Sequence, residues 1–281
     1  MPSRIQHLAA AMAGAYLAFA PLAAPAQALP PSPGEVTYAD VADLADSAGL
    51  VVHAQVLKMA RVEDARAPGL TPGHARFYIE ARTKALLTGK AALGESIRYL
   101  VDLPLDAKGK APKLRKQDVL LFARAVPGRP GELQLVRPTA QQAWTGAGEA
   151  RLRSILQGLV APEAPAKVTG VRELLYVPGN LAGQGETQIF LKTADGSAAS
   201  ITVRHEPGQP PAWGVSFSEL VADAGRPPQR DTLEWYRLAC FLPKTPPAEA
   251  NVSGSYAEQQ QALADYRGVL GQLGPCDRTL R

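Results

Sequence analysis

The segment YVPGNLAGQGETQIFLKTADGS, Tyr176 to Ser197, decides how the second half of the chain folds. Its glycines, Gly179, Gly183, Gly185 and Gly196, can be read as a phosphate cradle or as hairpin corners. A cradle needs glycines leading from a strand into a helix, whose free amide groups meet the anion. Here Gly183-Gln184-Gly185 leads into ETQIFLKT, where Thr187, Ile189 and Leu191 alternate with Gln188, Phe190 and Lys192. That is the period of a strand. Gln188 stands where the third glycine of a dinucleotide fingerprint would fall, and no Lys-Ser or Lys-Thr pair follows for a P-loop. The glycines turn corners. Pro178-Gly179 fits the centre of a type II turn and Asp195-Gly196 a tight hairpin, after which ASITVRH returns with Ala199, Ile201 and Val203 on one face.

Strand signals continue on both sides. VTGVRELLYV precedes the segment, and QPPAWGVSFSELV follows with Trp213, Val215 and Phe217 on one face. Two helices then close the chain. Asp231 and Glu234 open DTLEWYRLACFL in the manner of a capping box, and Pro243 stops it. Ser255 and Glu258 open SYAEQQQALADYRGVLGQL, whose Leu263, Tyr266, Leu270 and Leu273 form one apolar stripe ended by Gly274-Pro275.

Upstream, LVAPEAPAKV is rich in proline and alanine and reads as a boundary, with a linker at 161–167 and an α+β domain over 168–281. The part before it, 29–160, begins with a helix over TYADVADLADSAG that Thr37 can cap. Five strand candidates follow: LVVHAQVLKMA, ARFYIEARTKALL, ESIRYLVDL, QDVLLFARAV and ELQLVRP. A helix over GEARLRSILQGLV carries Leu152, Ile155, Leu156 and Leu159 at helical spacing. Five strands in so short a span suggest a small closed barrel, which leaves no exposed edges. The expected class is α+β with mostly antiparallel strands.

The order ADSAGLVVHAQVLKM, FYIEARTKALLTGK, GESIRYLV and LRKQDVLLFAR, over residues 48–137, resembles the small oligonucleotide/oligosaccharide-binding-type (OB-like) barrels of exported bacterial proteins. That resemblance implies a fold and no reaction. Over residues 170–243, GVRELLYVPGNLAGQGETQIFLKTADG, PGQPPAWGVSFSEL and TLEWYRLACFLP resemble a family of exported proteobacterial proteins with no assigned activity. It implies export and is silent on substrate.

The first residues point the same way. MPSRIQHLAAAMAGAYLAFAPLAAPAQA has the charged start at Arg4, the apolar run and the small residues Ala26 and Ala28 of a secretory signal peptide over 1–28. The apolar run is shorter than the roughly 20 residues a membrane-spanning helix needs. A periplasmic or secreted protein beginning near Leu29 is expected, with no transmembrane segment after cleavage. In an exported chain the two cysteines, Cys240 and Cys276, read as a disulfide. In the chain-entropy picture it would contribute roughly 4 kcal/mol.

Chemistry is harder to find. His53 lies on the strand face opposite Val52, His74 in a turn and His205 at a strand end, and no pair has the spacing of a helical metal motif. No metal and no cofactor are expected. The nucleophile turn of a serine hydrolase is missing, and His205, Glu206 and Ser218 are the only group to nominate for a catalytic alternative. Glu63-Asp64 sits among arginines, and Glu219 and Asp223 stand four apart after a strand.

The clearest functional feature is KGKAPKLRK, which sets Lys108, Lys110, Lys113, Arg115 and Lys116 in one loop between barrel strands. It reads either as an anion-binding surface or as a loop kept soluble by its charges. An unknown envelope protein, an anionic glycan or a lipid head group would suit it. Nucleic acid is disfavoured by export and by the absence of interleaved aromatic residues. Overall charge adds little, with 30 basic against 26 acidic residues. Flat tryptophan rings can stack on sugars; Trp213 and Trp235 read as packing residues, and Trp144, in AQQAWTGAG, is the one to test first. The expectation is a non-catalytic binding or scaffolding protein of the cell envelope. The alternatives are an envelope hydrolase with scattered site residues, or an inhibitor of an envelope enzyme.

Overall fold

The computed structural model describes residues 36–219 and 226–280. The expected leader 1–28 and Asp223 lie outside the described residues.

Helix α1 (Tyr38–Ser47) starts where Thr37 and Asp40 exchange hydrogen bonds between side chain and backbone, a capping box. Five strands then close on themselves: β1 (Leu50–Arg61), β2 (His74–Thr88), β3 (Ser96–Pro104), β4 (Asp118–Ala125) and β5 (Glu132–Leu135). Their order is β1-β2-β3-β5-β4, and β1 returns to pair with β4, so the sheet is a barrel. All pairings are antiparallel except β3 with β5. This closed mixed barrel is consistent with the OB-like one implied by the sequence.

Strand β1 can serve two neighbours because it bends. Its pairing with β2 skips Leu57 between Val56 and Lys58, a bulge that sharpens strand twist. Its first half pairs with β4, from Leu50↔Ala123 to Gln55↔Asp118. Alternation does the sorting. Ile79, Ala81, Ile97 and Val101 are buried, while Tyr78 and Leu100 between them stay exposed. A short strand the sequence reading missed, β6 (Gln141–Ala143), adds to the other side of β4 and delivers the chain to helix α2 (Gly146–Val160).

The second sheet is an antiparallel meander in the order β10-β9-β8-β7, from β7 (Val168–Pro178), β8 (Gly185–Thr193), β9 (Ser200–His205) and β10 (Ala212–Ser216). Residues 176–197 therefore span the β7–β8 hairpin and the turn toward β9. One detail differs. Strand β7 runs on through Pro178, and the tight turn is Leu181–Gln184, closed by the Gln184 amide on the Leu181 carbonyl at 3.0 Å. Gly183 supplies its positive φ of 80°, the geometry that a type II turn asks of its third residue.

Helix α3 (Leu233–Ala239) starts one residue later than expected. Thr232, and not Asp231, caps it by accepting from the Trp235 amide at 3.2 Å. Helix α4 (Tyr256–Leu273) has the expected Ser255–Glu258 capping box and packs across β7 and β8. Tyr266, Val269 and Leu273 on its inner face are buried, each contributing about 1.5–3 kcal/mol by leaving water. The Leu270 position on the expected stripe is partly buried, and so is Leu263.

Helices α1, α2 and α3 pack on one another, and α1 also packs on β4 of the barrel. The buried side chains make one continuous cluster through both sheets. Cys240 caps the end of α3 and is bonded to Cys276 beyond α4, with S–S at 2.05 Å. The tail that follows folds back on α1. Asp40 accepts hydrogen bonds from the Thr279 and Leu280 amides, and Arg278 grips Asp43. No helix among the described residues is long and apolar enough to cross a membrane.

Candidate functional site

The catalytic nominees do not form a group. Ser216 pairs with Ser200 at one end of the β9–β10 ladder, and His205 ends β9 beyond Arg204, which pairs with Ala212. Ser218 and His205 thus lie at opposite ends of the ladder, roughly 20 Å apart at about 3.4 Å per residue. Glu206 is exposed in the following turn. His205 instead sets Nε2 2.9 Å from both oxygens of Asp265 on α4. Thr187, fully buried on β8, donates to the same carboxylate, and Gln261 donates at 2.9 Å. A triad needs the imidazole between carboxylate and hydroxyl. Here the hydroxyl meets the carboxylate directly, so the cluster clasps the sheet to α4.

The basic loop joins β3 to β4. Asp106 shapes its tip by accepting from the Lys108 and Lys110 amides at 2.9 and 2.8 Å. Lys108, Lys110 and Arg115 are exposed there. Lys113 and Lys116 do something else. They line a cavity of about 580 Å³ together with Lys84, Gln55, Gln141 and Trp144. Lys116 adopts a positive φ of 68°, which is uncommon for any residue but glycine or asparagine. Its amide is held there by the Val56 carbonyl at 2.8 Å.

Behind this cavity lies an arrangement that no local pattern foretold. His53, on the outward face of β1, has Nε2 3.2 Å from Asp118 on β4 and Nδ1 3.3 Å from Glu149 on α2. The Trp144 indole stacks on the imidazole, with centroids 5.0 Å apart and planes 9° from parallel, and its Nε1–H donates to Glu149. Lys84 donates to Asp118 at 2.6 Å. Burial pulls the Asp118 carboxyl upward, but the hydrogen bonds from Lys84 and His53 outweigh it and hold it below the usual carboxylate value. Hydrogen bonds from Trp144 and Arg153 do the same for Glu149. Among the described residues no group of His, Cys, Asp and Glu is arranged to hold a metal ion.

A second concavity lies over the outer face of β2 and β3. It is a groove of about 960 Å³ lined by Arg61, Arg66, Arg76, Arg98, Arg129 and Arg137, against the acids Glu63, Asp102 and Glu132. Exposed Tyr78 and Leu100, paired across β2 and β3, form its apolar floor. Arg76 is committed to Asp102 by two hydrogen bonds of 2.7 and 2.8 Å, which also raise its pKa. Arg129 faces Glu132 at 3.3 Å. Arg66 and Arg98 have no ion-pair partner among the described residues.

This groove was missed by sequence reasoning, although half of it was readable. Arg76 and Tyr78 alternate with buried Phe77 and Ile79, and Arg98 and Leu100 with buried Ile97 and Tyr99. Convergence of the β1–β2 loop and the β4–β5 segment on that face depends on barrel closure.

No protein-family model matches the chain, and no curated protein is similar to it.

Proposed function

We propose that this is an exported, non-catalytic binding protein of the bacterial cell envelope, which holds an anionic glycan chain in the groove over β2 and β3. One observation carries the reading: six arginines converge on one groove against three acids, and two of them have no ion-pair partner among the described residues. Guanidinium groups suit carboxylate, sulfate and phosphate, because their planar donors match such oxygens in pairs. Tyr78 and Leu100 add an apolar strip for the flat face of a sugar ring. An open groove fits a chain, where a small metabolite calls for an enclosed pocket. A single exposed aromatic residue on this face argues against base stacking along a nucleic acid strand.

The test is retention of the purified protein on an immobilised acidic polysaccharide at low and high salt, beside the Arg66→Glu/Arg98→Glu variant. Wild type should be retained in a salt-dependent way, and the variant should lose on the order of tenfold in affinity. Equal retention of both proteins would overturn the groove as the site. Preference for single-stranded DNA, or for anionic vesicles, over the polysaccharide would overturn the glycan. Recovery of the native protein from the cytosol would overturn the envelope role.

A further inference from the structure

The cavity beside Trp144 shares no lining residue with the arginine groove. We infer that it is a second, independent binding site, for a single pyranose unit carrying an anionic substituent.

The indole is a fixed platform. One face lies on the His53 ring, its N–H is held by Glu149, and its backbone amide donates to the Asp118 carbonyl at 3.0 Å. Yet its side is open, for Trp144 remains 37% exposed where Trp213 and Trp235 are 3% and 2% exposed. Fixing a large aromatic residue with a carboxylate, an imidazole and a backbone carbonyl, and leaving it bare, serves recognition better than packing. A pre-oriented ring loses little entropy on binding.

The groups around it are complementary to a sugar. Gln55 spends its amide N–H groups on Asp118 at 3.2 Å and on the Lys116 carbonyl, and its Oε1 has no hydrogen-bond partner among the described residues. Gln141 accepts from the Tyr99 hydroxyl through its Oε1 at 2.6 Å, and its Nε2 has no hydrogen-bond partner among the described residues. One open acceptor and one open donor match sugar hydroxyls, which both give and accept. Lys113 and Lys116 supply the charge. Both are exposed, and neither has an ion-pair partner among the described residues. Lys84 is already committed to Asp118 and serves the platform. The pyranose ring stacks on the indole, and its carboxylate or phosphate lies between the two lysines.

Because Trp213 and Trp235 are buried, tryptophan emission on ligand addition reports on Trp144. The wild-type protein is titrated with an oligogalacturonate, with glucose 6-phosphate, and with the neutral galactose oligosaccharide of matched length. The acidic sugars should shift the emission, the neutral one on the order of tenfold more weakly. Lys113→Gln/Lys116→Asn, which keeps a residue tolerant of positive φ at 116, should weaken the acidic sugars on the order of tenfold. Arg66→Glu/Arg98→Glu should leave the shift intact, so this site can stand or fall apart from the groove. Preference for galacturonate or for the phosphate identifies the anionic group. The inference is overturned by an unshifted emission, by equal response to acidic and neutral sugars, by an unaffected lysine variant, or by a mononucleotide binding more tightly than either acidic sugar.

Discussion

Arg237 on α3 meets Asp46 on α1 through two hydrogen bonds, Nη1 at 3.0 Å and Nη2 at 3.2 Å from the carboxylate oxygens. The guanidinium is almost wholly buried, and its Nε–H donates to the Pro165 carbonyl at 3.1 Å. This pair, with Lys167 as a third member at 2.9 Å from Asp46, locks the meander half to the barrel half. The proline-rich stretch between them is held in place by the same contact.

Breaking one side of such a pair strands the other. Asp46→Ala should lower the unfolding free energy by about 3 kcal/mol, because a buried guanidinium loses its counter-charge. Arg237→Met with Asp46→Leu should cost less than the two single changes summed, by more than about 1 kcal/mol. Urea unfolding of wild type, Asp46→Ala, Asp46→Leu, Arg237→Met and the double variant measures this. Additive costs would mean that the pair contributes no coupling across the two halves.

Acid should loosen the hold of the tail on α1. Burial raises the Asp40 carboxyl, but hydrogen bonds from Thr279, Leu280 and Thr37 outweigh it and hold the value below the ordinary range. A folded value below the unfolded one, about 3.9, gives stability that is complete above that pH and lost as pH falls through the folded value. Asp40→Asn turns an amide donor toward those backbone amides and should be about 1–2 kcal/mol less stable at pH 6. The gap between variant and wild type should begin to shrink below about pH 4 and go on shrinking as pH falls through the folded value. A gap that persists unchanged at pH 3 would show that the carboxylate charge is not what the tail needs.

Gly185 is required by a neighbour. A Cβ built there would fall 2.1 Å from the Tyr176 hydroxyl oxygen and 2.5 Å from its Cζ, because the tyrosine ring lies across the glycine on the facing strand. Tyr176 also meets His205 edge to face at 6.1 Å. Gly185→Ala should therefore cost about 1–3 kcal/mol by driving the ring away. In a Tyr176→Ala background the same change should cost less than about 0.5 kcal/mol. Equal costs in both backgrounds, by thermal or urea unfolding, would remove the steric explanation.

What could be read from the chain by itself was local. Period-two runs marked β1 to β5 and β7 to β9, helical spacing marked α2 and α4, and Thr37 and Ser255 announced helix starts, because these signals lie within a few residues of one another. Gly183 and Gly196 could be assigned to turns for the same reason, whereas Gly185, read as a corner, opens β8 and makes room for the Tyr176 ring. Asp231 misled, since Asp and Thr side by side compete for one cap and packing of the chain entering α3 decides between them. The sites were decided by tertiary structure. Lys113, Lys116 and Trp144 were each conspicuous, but their meeting at one cavity follows from the pairing of β6 with β4 at Val119↔Ala143, beside the closure of β1 on β4 in the register Gln55↔Asp118. That same register sets His53 against Asp118, 65 positions away. The arginines gather in the same manner, from loops and strands that only the closed barrel brings together. Strand-forming tendency is a property of a few neighbouring residues, whereas the partner of each strand is chosen by burying side chains from the whole chain at once.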